Sequence, residues 1–144
     1  VRLALPQPFE DLGHTADVGV RVEGASPEEA LARLVLAFAQ LVAGGAEVHA
    51  EREERLSVEG GPDLAGTAVA LLRELLYLHA AEGKVPAACE VHRADAEGAE
   101  ASVAFGRRDA ERHAEGVDLK AVTWHAAKLA REGGRWVAQV VFDI

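Results

Sequence analysis

The chain has 144 residues, of which 49% are hydrophobic and 27% charged; this globular balance excludes a disordered polypeptide and suffices for one domain over residues 1–144 with a sizeable core. A net charge of −9 disfavours tight nucleic-acid binding by this chain alone, because gripping phosphates normally needs a basic patch, and Asp109 and Glu111 closely follow the basic pair Arg107-Arg108. A single cysteine, Cys89, excludes an internal disulfide and a Cys-x-x-Cys metal site, no apolar run approaches the length of a membrane span, and no basic-then-apolar leader opens the chain, so a soluble, cytoplasmic protein is expected.

Residues 1–8, with Pro6 and Pro8, read as an extended arm. A first strand is expected over 9–12, and a second over 18–23, where Val18, Val20 and Val22 alternate with Gly19, Arg21 and Glu23. Ser26-Pro27-Glu28-Glu29 is a helix start, with Ser26 as cap, Pro27 in the first helical position and Glu29 completing a capping box. Leu31, Leu34, Val35, Phe38, Leu41 and Val42 then recur at helical steps as one apolar stripe for packing on a sheet, and Gly44-Gly45 can end the helix.

The charge run Glu51-Arg52-Glu53-Glu54-Arg55 fits an exposed strand face or edge, where charge discourages sheet-to-sheet association. Gly60-Gly61-Pro62 breaks the chain and Asp63 can cap a second helix over 64–81, whose dense leucines imply burial on more than one side, with Tyr77 and His79 at the margins. The rest reads as β: 85–94 and 99–106 around a turn, a charged loop, an extended segment over 117–129, and a Gly133-Gly134 hairpin into 136–144. Counting outward from that hairpin places the final residue opposite roughly Thr123, with Asp118 and Lys120 a few residues beyond. The fold expected is α+β, mainly antiparallel sheet with two helices packed on it, as two strand-helix-strand-strand units.

Asp17 stands where a loop becomes a strand; alone, an Asp there is more often a turn or capping residue than a ligand. Asp143 and the α-carboxylate of Ile144 put two anionic groups on adjacent positions. If the last strand lies beside the strand that starts at Asp17, three carboxylates converge, and a hard cation such as Ca²⁺ or Mg²⁺ would relieve their repulsion. The six histidines show no His-x-x-x-His spacing; His14 reads as a loop-fixing partner, with an orienting role toward Asp17 as the alternative. Neither Gly-x-Ser-x-Gly nor a glycine-rich phosphate loop is present, so no catalytic constellation is recognisable and an enzyme is not expected.

Phe9-Glu10-Asp11-Leu12-Gly13-His14-Thr15-Ala16-Asp17-Val18-Gly19-Val20 resembles the opening of the archease family. Val117-Asp118-Leu119-Lys120-Ala121-Val122-Thr123-Trp124-His125, preceded by Arg112-His113, is similar to its second signature; Glu74-Leu75-Leu76-Tyr77-Leu78 and Val141-Phe142-Asp143-Ile144 resemble its helical segment and closing strand. The resemblance implies a non-catalytic protein cofactor of an RtcB-type RNA ligase, speeding activation through a guanylylated histidine and allowing repeated turnover in tRNA splicing and RNA repair. It also implies a divalent cation, Ca²⁺ or Mg²⁺, at Asp17, Asp143 and Ile144. A chaperone-like modulator of another RNA-modifying enzyme, such as a methyltransferase, is the alternative. Arg107 departs from the family, which commonly has an acid there.

Overall fold

Both helices are bounded by the residues that local chemistry selects. In the computed structural model, which describes residues 1–12 and 17–144, helix α1 (Pro27–Ala43) opens with Ser26 Oγ accepting the Glu29 amide at 3.0 Å. Glu29 reaches back to the amide of Ala25 rather than that of Ser26, a slightly wider capping box than expected. The helix stops at Gly44, whose φ of 63° is left-handed and where a Cβ would meet the Glu115 carbonyl carbon at 2.6 Å. Helix α2 (Leu64–Glu82) starts under Asp63, which accepts the Gly66 amide at 2.9 Å.

The strands are β1 (Leu3–Ala4), β2 (Glu10–Asp11), β3 (Asp17–Gly24), β4 (Arg52–Glu59), β5 (Lys84–Asp95), β6 (Gly98–Arg107), β7 (Ala121–Glu132) and β8 (Arg135–Asp143). They form two antiparallel sheets, ordered β1-β5-β6-β4 and β2-β3-β8-β7. The α+β class holds. Within it, β4-α2-β5-β6 gives the order β5-β6-β4, and β3-α1-β7-β8 gives the same order, β7-β8-β3. These are two strand-helix-strand-strand units, with β4-α2-β5-β6 inserted into the other between α1 and β7. The charged strand β4 lies at a sheet edge, as expected.

Each helix touches both sheets: α1 packs on β5 and on β3 and β8, α2 on β7 and on β5 and β4. The single stripe expected for α1 is therefore corrected. Ala30, Ala32, Ala37 and Ala39 are as fully buried as Leu31, Leu34 and Phe38, because both sheets close over the helix and alanine admits them. Helix α2, at 19 residues, is long and apolar enough by composition to cross a bilayer, contrary to the expectation that no run approaches that length. It is a core helix: Leu71, Leu72 and Leu75 are buried at 1% exposure or less, while Tyr77 stays 64% exposed at the margin. Cys89 is buried in the core, and burial pushes its thiol up to about 12, as befits an inert packing residue.

The β7–β8 hairpin turns at Gly133 and Gly134, with φ of 57° and 82°. The register beyond it differs from the simple count. Lys128 faces Gln139, but Thr123 faces Val141, so residues 124–127 of β7 bulge opposite one residue of β8. Ala126 adopts a φ of 56° within that bulge. Asp143 consequently faces Ala121, so the final residue lies past the Thr123 position that the count assigns it, and the strand expected from 117 begins at Ala121.

Phe38 of α1 ties these layers together, lying 6.1 Å from Phe142 of β8 and edge-on to His79 of α2 at 6.1 Å. Phe38→Ala should lower the unfolding free energy in urea by about 3–5 kcal/mol; a loss below about 1 kcal/mol would contradict this packing. Burial holds the His79 imidazole below its ordinary value of 6.5, partly offset by the Lys84 carbonyl 3.0 Å from Nδ1. The unfolded chain takes up this proton near 6.5 and the folded chain resists it. Stability from neutral His79 is thus complete above 6.5 and is lost as pH falls below it. Urea unfolding should weaken less on acidification in His79→Gln than in the parent; parallel pH profiles would refute the role of His79.

Candidate metal centre

The pairing of β3 with β8 runs unbroken over eight residues, from Asp17 opposite Asp143 to Gly24 opposite Trp136. Burial fixes that register. Val20, Val22, Ala138, Val140 and Phe142 all reach the core, and a slip by one residue would turn them outward. Directly opposed residues present side chains on the same face, with Cα atoms about 4.5–5.5 Å apart. The structure therefore brings Asp17 and Asp143 together, as the sequence allowed. Ile144 follows at once and is 42% exposed.

The two carboxylates differ. Asp143 is exposed, whereas Oδ1 of Asp17 has under 1 Å² of accessible area and no hydrogen-bond donor among the described residues. Leu12 packs over this side of β3: its amide donates to the Gly19 carbonyl at 2.6 Å, and a Cβ on Gly19 would meet Leu12 Cβ at 3.0 Å. No lysine, arginine or histidine among the described residues forms an ion pair with Asp17 or Asp143. A buried acceptor without a donor is costly, and a carboxylate facing another carboxylate more so. A hard cation answers both, and the donors present are all oxygen, so the residues fit such an ion. Among the described residues no three His, Cys, Asp or Glu side chains converge. His14 falls at residues 13–16, outside the described residues.

The loop before β7 delivers a further contact. The Lys120 amide donates to the Asp143 carbonyl at 2.8 Å, and Thr123 Oγ1 donates to the Val141 carbonyl at 3.1 Å. Asp118, weighed from the sequence as an acid at this end, lines a separate cavity of about 400 Å³ with His79 and Arg108. The residue that sequence reasoning passed over is His113, 1% exposed. Its Nδ1 accepts the Asp109 amide at 2.9 Å, leaving Nε2 to donate to the Glu47 carbonyl at 2.8 Å. Asp109 in turn accepts the amides of Arg112 and Glu111, which hold its carboxyl below the ordinary carboxylate range. With the Val117 amide on the Leu41 carbonyl at 2.9 Å, this pins the loop to the end of α1 and aims Lys120 at Asp143. An Asp whose side chain can take the amide two residues on signals such a turn; nothing in the spacing separates His113 from the other histidines.

Adding Ca²⁺ to chelator-treated protein should raise its melting midpoint, and Asp17→Asn should abolish that response while matching or exceeding the parent's midpoint without metal, since one of two facing charges is gone. An unchanged midpoint for the parent on Ca²⁺ addition would contradict the site.

The model of the Archease protein family (MTH1598/TM1083) matches residues 9–144. Protein archease of Pyrococcus furiosus is 35% identical over 140 residues, covering 94% of this chain and 98% of the relative. That of Methanopyrus kandleri is 35% identical, covering 95% and 99%. Among solved structures, the fold is similar to the solution structure of Methanobacterium thermoautotrophicum protein 1598, with TM-score 0.69, 25% identity, and coverage of 94% of this chain and 98% of that one. It is also similar to the crystal structure of an archease, called a possible chaperone, from Thermotoga maritima, with TM-score 0.58 at 24% identity and coverage of 97% and 98%. With the family match spanning both strands that hold the paired aspartates, this chain belongs to the archease family.

Proposed function

We propose that this protein is a non-catalytic, cytoplasmic cofactor of an RtcB-type RNA ligase, promoting the ligase's guanylylation and multiple turnover in tRNA splicing and RNA repair. It would hold a divalent cation, Ca²⁺ or Mg²⁺, through Asp17, Asp143 and the α-carboxylate of Ile144. The observation that supports this reading best is the buried Oδ1 of Asp17, without a donor among the described residues, set across from Asp143. Such an ion supplies concentrated positive charge, the chemistry that draws triphosphate oxygens. The chain's own part is positional. Asp17 stands at the sheet end two residues before Gly19, against which Leu12 packs, and Asp143, braced by the Lys120 amide, stays exposed to a partner.

The chain's acidity supports action on a basic partner rather than on RNA directly, and its sequence carries neither Gly-x-Ser-x-Gly nor a glycine-rich phosphate loop. The alternative, a chaperone-like modulator of an RNA-modifying enzyme such as a methyltransferase, draws on the same acidic surface and on the words attached to the Thermotoga maritima structure.

Multiple-turnover ligation with a cognate ligase, GTP and metal should accelerate severalfold on adding this protein. Asp143→Ala, and residues appended after Ile144, should each remove most of that gain with the fold intact by circular dichroism. Equal rates with and without the protein would overturn the ligase reading, and stimulation of a co-purifying methyltransferase instead would favour the alternative.

A further inference from the structure

Among the described residues, four large apolar side chains are exposed: Val1, Tyr77, Trp124 and Ile144, at 79%, 64%, 50% and 42%. Val1 belongs to the N-terminal arm. The other three lie on α2, on β7 and just past the end of β8. Arg73 donates to the Val122 carbonyl at 3.2 and 3.1 Å and lies over the Trp124 ring at 5.7 Å. Tyr77 is one helical turn further on the same face of α2. Val122 faces Phe142, and Ala121 faces Asp143, so Ile144 follows within two residues of the position that Arg73 grips. The surplus residues of the β7 bulge carry Trp124, His125 and Ala126 into solvent, and the left-handed φ of Ala126 is a conformation that alanine adopts only where the surrounding structure imposes it.

Core packing accounts for the buried residues of these segments, Leu75, Leu76, Leu78 and Val122, but not for an exposed Tyr and Trp. We propose that Tyr77, Trp124 and Ile144 form an apolar docking edge contiguous with the Asp17–Asp143 pair, occupied by a basic protein surface around the active site of the activated ligase. This rests on the ligase reading above and names the surface by which that partner is held. Charge selects the occupant. The edge borders two aspartates and Glu74 in a chain of net charge −9; against them stand the exposed Lys120, whose amide bonds Asp143, and Arg73, which is turned inward onto a carbonyl and a ring. RNA and a second copy of this chain would both meet like charge, whereas an enzyme that grips RNA presents the opposite sign. Aromatic side chains within such a contact carry most of its affinity.

The experiment is a titration of immobilised ligase with the parent, with a Tyr77→Ala/Trp124→Ala double variant, and with Trp124→Phe, each also followed by guanylylation. The double variant should bind on the order of tenfold more weakly or worse, yet reach the parent's stimulation at saturation and keep its Ca²⁺ response. Trp124→Phe, which keeps a ring for Arg73, should stay close to the parent, and raised salt should weaken the parent's binding. A double variant that titrates like the parent overturns the docking edge while leaving Asp143-dependent stimulation standing. A Trp124-dependent dimer of the parent in sedimentation overturns the choice of occupant, and a parent that neither binds nor stimulates the ligase overturns both readings.

Discussion

The antiparallel pairing of β3 with β8 is the constraint on which the rest depends. Its register is enforced along its whole length by the alternating residues that enter the core, Val20, Val22, Val140 and Phe142 among them. Hydrophobic burial at one end of the pair thereby fixes two like charges side by side at the other. The cost of that juxtaposition is met by the packing behind it, and Phe142, next to Asp143, is held by Phe38 of the central helix. A site whose groups repel one another survives because the scaffold over-determines their positions.

The two nested units make the point by contrast. In the inserted unit, the sheet end formed by the starts of β4 and β5 and the end of β6 also gathers acids, but the chain supplies its own cations there. Lys84 Nζ lies 2.7 Å from Glu54 and 3.4 Å from Glu82, and Arg107 Nε lies 3.8 Å from Glu51. The Glu54 carboxylate beside it is the main cause that raises the Lys84 ammonium above its usual value. Arg107 also donates to the Glu82 carbonyl at 3.1 Å. In the outer unit, the starts of β3 and β7 and the end of β8 bring Asp17 and Asp143 together with no such partner among the described residues. One architecture closes its acids with lysine and arginine; the other gives its facing aspartates no such partner among the described residues.

Much of this was legible in the residues. Ser26 and Asp63 as caps, the glycine stops, the Gly133-Gly134 hairpin and the valines of β3 are local signals, and local chemistry decided them. The pairing of Asp17 with Asp143 was readable only as a possibility, because no local signal states which strands are neighbours. Three features were hidden for definite reasons. The burial of α1 all round depends on a second sheet that periodicity cannot announce, the β7 bulge depends on Ala126 taking a conformation no residue type there advertises, and the anchor at His113 depends on Glu47, distant in sequence. Nesting of the units separates corresponding elements along the chain and so leaves no tandem repeat to find.

The most direct measurement is carbon-detected NMR of the side-chain and terminal carboxyl groups during a Ca²⁺ titration of chelator-treated protein. If the sheet end closes around an ion, the carboxyl signals of Asp17, Asp143 and Ile144 move together along one binding curve while those of Glu54 and Glu82, already answered by Lys84, stay still. Signals of the three that do not move, or that follow separate curves, would contradict the account.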